Sequence, residues 1–477
     1  MAKKYFKNRF IIFAILFAFA FIFYFDSFKH FFYQDDIWHF YISKISSLKE
    51  FFEFFNPINK FGYQVYRPLS TQVFFFLFQN IFGLNHAIFQ FIVILLLGIN
   101  SFLIYEILKK YTTTIFAFLL SIFYISHHQN IGIVYYLSTI QLSFAVLFTL
   151  LSIKQLQEKK NNWQIKILIF YILSIFCQEI SLLNSIIFIG ILLVEDLKNL
   201  KIEKKLILAL LFATISYLIF RFYFINQQIF TNDNYHISLN PKTIINNLFW
   251  YGLWMASIPE YLINFVGSGF KPLPPLFGQY RLESTLSLLI LLINLSVFTV
   301  LLSKVKNKKL LIYPLAFVLS LAPVLVFPWH KYVYHLPIAS IFILIFCGKI
   351  IGRPKKSIVY LILIAALIFS SIISNFIDRR TSYNYKRGVT AQNFKENIDW
   401  KILKSGQKNI LVLNDPTFTV FSKDWGSTSS QAKIVLKENL FFTILSNNYG
   451  LQVFYEDDLE SLENVKYDYE IVAKKEW

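Results

Sequence analysis

The sequence predicts a polytopic α-helical membrane protein of about eleven transmembrane helices with a small extracytoplasmic α/β domain at its C-terminal end. Three observations predict it. The 477 residues are 56% hydrophobic but only 16% charged, where a soluble chain carries roughly a quarter charged residues. Apolar runs of transmembrane length recur through the first 377 positions. The lysines gather in the short tracts between those runs, as residues that orient membrane helices do. Placed that way, the net charge of +18 argues against a nucleic-acid partner.

The first span, Phe10 to Phe25, follows a basic leader and lacks a small-residue cleavage site. It reads as an uncleaved signal anchor with a cytoplasmic N-terminus. Further spans are expected at 84–107, 114–126, 131–153, 163–177, 180–194, 206–225, 284–302, 310–327, 334–350 and 357–377. Alternate connections carry the lysines: Lys109-Lys110, Lys154 to Lys166, Glu195 to Lys205, Ser303 to Lys309 and Lys349 to Lys356. The positive-inside rule makes these cytoplasmic. The chain divides into a transmembrane domain, 1–377, and an external domain, 378–477. Cys177 and Cys347 fall near opposite faces and are expected to be unpaired, small buried hydrophobes.

Two external connections are long, 26–83 and 226–283, and long connections tend to carry function. The first opens on Asp35-Asp36. Apolar residues then recur at Ile37, Tyr41, Ile45, Leu48, Phe52 and Phe55, the spacing of one amphipathic helix lying in the membrane interface. Tyr66-Arg67-Pro68-Leu69 follows, with proline suited to a helix's first turn, and Ser70 to Phe82 continues as a short helix. Arg67 at its entrance has the geometry to fork onto a phosphate. Taken singly, these features have plain readings, a solvated acidic turn and a snorkelling arginine. Together on one loop they say more: an acidic pair held at headgroup depth, where a lipid-linked phosphate would also lie, and a guanidinium able to meet it.

This series resembles the GT-C membrane glycosyltransferases, closest to the protein O-mannosyltransferases that carry tetratricopeptide repeats and to their bacterial relatives. The likeness rests on the acidic pair, on Tyr66-Arg67-Pro68-Leu69 about thirty residues later, and on Phe82-Gly83-Leu84-Asn85-His86, where His86 replaces the family's proline. Ser126-His127-His128, Gln178-Glu179 and Lys331-Tyr332-Val333-Tyr334-His335-Leu336-Pro337 are weaker echoes. The likeness covers residues 1–350, and the repeats are absent.

The resemblance implies a GT-C-like fold and an inverting transfer of sugar from a polyprenyl-phosphate-linked donor in the cell membrane. The acceptor would be a protein hydroxyl, a lipid or a glycan at the external face. Asp35 and Asp36 are then the catalytic pair, one as base, with the order open. Arg67 and Lys331 are the donor-phosphate cations, and His127, His128, Glu179 and Tyr66 line the same cavity. A divalent metal on Asp35 and Asp36 stays open, since hard ions take more oxygen ligands than these. A lipid-linked oligosaccharide flippase or other transporter, or a sugar polymerase or ligase with its weight in 226–283, are the alternatives.

Gly267-Ser-Gly-Phe-Lys-Pro-Leu-Pro-Pro275 in the second loop suggests a structured lid or an acceptor loop. In the tail, strands are expected at 409–413, 451–455 and 469–473, a helix at 432–445, and a solvated turn at Asp457-Asp458.

Overall fold

Long apolar runs leave helix as the one economical structure in lipid, because each backbone polar group must find its partner inside its own segment. The computed structural model describes residues 2–56, 66–195, 200–224, 236–267, 271–305, 307–353, 357–417, 426–458 and 466–474. Among them, six helices are long and apolar enough to cross a membrane: His86–Leu108, Leu137–Glu158, Arg281–Leu302, Lys308–Leu325, Val333–Ile351 and Ile358–Thr381. Four shorter apolar helices accompany them, Arg9–Phe23, Thr114–Ser126, Trp163–Cys177 and Glu179–Val194.

In chain order the first half holds α1 (Ala2–Phe23), α2 (Asp35–Ile42), α3 (Leu48–Glu53), α4 (Phe74–Phe82), α5 (His86–Leu108) and α6 (Thr114–Ser126). Then come α7 (Asn130–Tyr135), α8 (Ile140–Glu158), α9 (Trp163–Cys177), α10 (Asn184–Glu195) and α11 (Leu200–Phe224). The second half has α12 (Pro241–Met255), α13 (Arg281–Leu302), α14 (Ile312–Leu325), α15 (Leu336–Ile351), α16 (Ser357–Thr381) and α17 (Tyr383–Asn397). α5 packs against α1, α6 and α8; α8 packs against α9, and α14 against α15. Buried polar side chains tie these helices together: Gln90 Nε2 donates to Val134 O at 2.8 Å and Asn100 Nδ2 to Ser143 O at 3.0 Å. Such bonds are glue where lipid offers no alternative partner.

The tail begins with β1 (Lys408–Asn414), then α18 (Thr428–Val435), α19 (Leu440–Ser446), β2 (Leu451–Tyr455) and β3 (Tyr469–Ala473). The sheet order is β2-β1-β3 and both pairings are parallel. The central strand buries Ile410, Leu411 and Val412, the short apolar run expected of a strand covered on both faces.

The bundle has two unlike ends. At one, Lys349 lies over the rings of Tyr111 and Tyr313, Lys159 pairs with Glu203 and Arg9 with Glu106. At the other gather α2, α7, α17 and the sheet module. Cys177 and Cys347 are both buried and free.

Several expected elements are corrected. The span 131–153 is broken: α7 ends at an extended Tyr136, a short 3-10 turn covers Leu137–Thr139, and α8 starts at Ile140. The supposed single interfacial helix is two helices. Ser47 caps α3 by accepting from Glu50 N, and Glu50 returns to Ser46 N, a capping arrangement that starts a new helix. Its apolar face is also not one stripe, since Ile37, Phe40 and Ile42 are buried while Leu48 and Phe52 are exposed. The second long connection contains α12, begun by Pro241 and capped by Asn240. Asn247 Nδ2 fastens it to Leu325 O and Phe327 O. Within Gly267 to Pro275, residues 268–270 lie outside the described residues; Val266 and Pro272 form an isolated bridge. α16 runs through position 377 to Thr381 without a break. The tail helix 432–445 is split by Lys437 and Glu438, both at positive φ (51° and 56°).

Candidate functional site

Asp35 and Asp36 open α2, where unpaired N–H groups favour negative charge. The preceding Gln34 takes φ 51°, ψ −117°, a costly conformation for a residue with a side chain. It turns the chain so that the two carboxylates face different surroundings. Asp36 is buried. Its Oδ1 accepts from Ser138 N and Ser138 Oγ, both at 2.6 Å, and its Oδ2 accepts from Tyr33 N at 3.3 Å. Ser138 sits in the bend between α7 and α8, so the break in the span brings both of its donors to Asp36. Burial pushes the Asp36 carboxyl up to about 7, against the pull of the Ser138 bonds.

Asp35 keeps its side chain 47% exposed. Tyr136 OH donates to its Oδ2 at 2.8 Å, and Lys437 Nζ to its Oδ1 at 3.3 Å. Burial opposes its charge, but Lys437, His39 and the Tyr136 hydroxyl hold its pKa below the ordinary value. The pair is therefore divided: one carboxylate anchored and inward, the other ionised and accessible.

Arg67 precedes a π-turn, Pro68–Val73, that leads into α4; such turns recur at functional sites. Its guanidinium meets Glu179 in a fork, Nε to Oε2 at 2.5 Å and Nη2 to Oε1 at 2.6 Å. Arg67 and Glu179 are thus brought together, though as a fixed ion pair and not as two separate wall residues. His39, one turn after Asp35, feels charge from both Asp35 and Arg67. Its pKa falls to about 4 through burial, with Asp35 favouring and Arg67 and Lys437 opposing its charge. His39 is accordingly neutral at pH 7, and both Asp35 and Arg67 lie within its electrostatic reach. His330 adjoins the same group: burial first, then Arg67, lowers it to about 4.

The sheet module closes over this loop. Gln34 N donates to Val435 O at 2.7 Å, Phe31 N to Gly388 O at 3.1 Å, and Lys44 Nζ to Asn447 Oδ1 at 3.2 Å. Arg387 Nη1 donates to Gln34 Oε1 at 2.9 Å while its guanidinium covers Tyr383 at 4.7 Å.

The other sequence candidates lie elsewhere. His127 and His128 are fully buried. His128 Nδ1 meets Asp378 Oδ2 at 2.6 Å and its Nε2 meets Trp254 O at 2.9 Å. Asp378 also accepts from Glu260 N at 2.8 Å, so this is a packing joint between α6, α12 and α16. Glu260, which takes Val333 N at 2.8 Å, is pushed up to about 8 by burial and then by Asp378. Tyr66 gives its hydroxyl to Phe55 O at 2.9 Å and packs on Phe220, which holds the end of α3. Lys331 is partly buried with its amine pKa lowered by burial alone, and it has no ion pair among the described residues. Among the described residues no hydrogen bond or ion pair joins it to the acidic pair.

Sequence reasoning missed His39, Tyr136, Ser138, Lys437 and Arg387. His39 was findable, since it lies four residues from Asp35 on the same helix. Tyr136 and Ser138 were hidden in an apolar run taken as a span, and Lys437 lies too far along the chain for any local signal.

All four oxygens of the acidic pair already accept hydrogen bonds, and among the described residues no group of three or more His, Cys, Asp and Glu is arranged for a metal ion. A divalent ion there would have two carboxylates for ligands and would share their oxygens with the donors Ser138, Tyr33, Tyr136 and Lys437. No protein-family model matches this chain, and no curated protein matches it.

Proposed function

We propose that this protein is a GT-C-like membrane glycosyltransferase, which moves a sugar from a polyprenyl-phosphate-linked donor to an acceptor hydroxyl of a protein, lipid or glycan. The reaction takes place on the face that bears the sheet module. By the lysine pattern that face is external, with the N-terminus cytoplasmic and about eleven spans. The observation that carries the reading is the grouping of an accessible, ionised Asp35 with a fixed Arg67 around the neutral His39.

Asp35 takes the proton of the acceptor hydroxyl as its oxygen attacks the anomeric carbon, ordinary general-base work. The bond from that carbon to the phosphate oxygen breaks, and its electron pair leaves with the polyprenyl phosphate. That leaving group needs cationic stabilisation more than a proton, which Arg67 supplies from a position fixed by Glu179. Attack and departure lie on opposite faces of the sugar, so base and cation must be separate groups. Asp36, buried and held by Ser138 and Tyr33, does not react.

The test is sugar transfer from lipid-linked donors by purified membranes. Asp35→Asn is expected to lower the rate about 10²–10⁴-fold, the usual worth of a general base. Full activity of Asp35→Asn removes the site assignment. Failure of the unaltered protein to consume any such donor removes the class.

A further inference from the structure

At the end of the bundle away from Asp35, a cavity of about 270 Å³ opens between helices. Its polar wall is Lys110, Tyr111, Gln157, Lys159 and Tyr313; Ile153, Leu192 and Ile345 make part of the apolar one. We propose that this cavity binds the phosphodiester headgroup of an anionic phospholipid, with the apolar wall taking the start of its acyl chains. The inference is independent of the glycosyltransferase reading and rests on helices fit for a membrane.

The charges around the cavity do not cancel. Glu203 answers Lys159 at 2.7 Å. Glu158, the carboxylate with most influence on Lys110, is held by Lys160 at 2.8 Å. Lys110 itself has no ion pair among the described residues. The Lys349 amine stands over two wall residues, 4.4 Å from the ring of Tyr111 and 4.9 Å from that of Tyr313, which directs a further positive charge to the rim. A positive excess beside a gap lined on one side by aliphatic side chains matches an amphipathic anion. Basic recesses between transmembrane helices hold lipid headgroups for this reason. The volume sits at the lower edge of small-ligand sites, right for a headgroup and small for a large soluble anion.

The experiment uses the full chain purified in a neutral detergent and titrated with phosphatidylglycerol, phosphatidylcholine or inorganic phosphate, read by native mass spectrometry and by thermal melting. Phosphatidylglycerol is expected to bind about tenfold more tightly than phosphatidylcholine and to raise the melting temperature. One lysine near a membrane surface is worth about 1 kcal/mol, so Lys110→Gln should weaken phosphatidylglycerol roughly fivefold while Lys110→Arg retains it. Lys44→Gln, at the opposite end, should leave the affinity for phosphatidylglycerol unchanged. Equal binding of the two lipids overturns the proposal in the unaltered protein alone, whether or not a variant folds. Undiminished binding by Lys110→Gln overturns the site, and inorganic phosphate binding in place of lipid overturns the lipid assignment.

Discussion

The Lys437 amine stands 3.3 Å from Asp35 Oδ1 across 402 residues of chain, so the sheet module contributes a charge directly to the acidic pair in the first long loop. Lys437 and Glu438 both hold positive φ, and a pair of left-handed non-glycine residues persists only where surrounding contacts over-determine it. Here Gln34 N bonding to Val435 O fixes the approach.

Because Lys437 is the largest influence holding Asp35 ionised against burial, Lys437→Met should raise the Asp35 pKa. The acid limb of the transfer rate then moves to higher pH by roughly one unit, with the plateau rate less affected, and Lys437→Arg should restore the limb. A pH–rate profile of the three proteins decides it; coincident limbs contradict the link.

Asp36 gives stability a pH dependence of opposite sign to the usual acidic residue. Its carboxyl rises from 3.8 to about 7 on folding. Between those values the folded chain holds a proton that the unfolded chain has released. The contribution is full below pH 4 and is lost as pH rises through 7. Asp36→Asn should therefore flatten the rise in melting temperature seen on acidifying from pH 7 to 5. Melts at stepped pH in one detergent measure this, and an unchanged slope would contradict the burial argument.

The fold was legible where one physical cause dominates. Runs such as Trp163–Cys177 and Thr114–Ser126 have their observed bounds because a continuous apolar run between polar breaks admits few alternatives to helix. The three strands were legible too, from short apolar runs between turn residues. The bend at Tyr136 was not: Asn130 to Tyr135 is as apolar as a span, and the bonds that accompany the bend, from Ser138 to Asp36, join residues 102 positions apart. The helix at 432–445 failed for the same reason, since tertiary contact at Asp35 overrides good helix periodicity through Lys437. As candidates, Asp35, Asp36, Arg67 and Glu179 stood out by residue type and order, and the structure pairs Arg67 with Glu179. His127 and His128 were misplaced because a histidine beside a span end looks alike whether it faces a cavity or an internal Asp378.

Arg67 and Glu179 make a two-bond fork that lysine cannot reproduce. Arg67→Lys should raise the KM for the lipid-linked donor and lower kcat, while Glu179→Gln leaves the cation in place but unsteered. Both side chains are partly exposed, at 16% and 27%, so loss of either should cost only roughly 1–3 kcal/mol of stability. If Glu179→Gln, assayed well below its melting temperature, transfers poorly, the pair positions the cation. If its activity is untouched, the fork is structural only.

The seam between module and loop turns on Gly388. A Cβ added there would lie 2.6 Å from His30 Nδ1, and His30 cannot retreat easily, since its ring is packed 4.4 Å from Tyr385 and 4.9 Å from Tyr135. Gly388→Ala should therefore cost about 1–3 kcal/mol, the usual penalty of overpacking, and should displace the Phe31 N to Gly388 O bond. The damage should reach the site, because that bond and the Gln34 N to Val435 O bond carry Lys437 to Asp35. A double-mutant cycle separates clash from general weakness. His30→Ala removes the obstructing ring, so Gly388→Ala should cost less in that background than alone. Additive costs would show that the glycine serves its own helix and not the contact with His30.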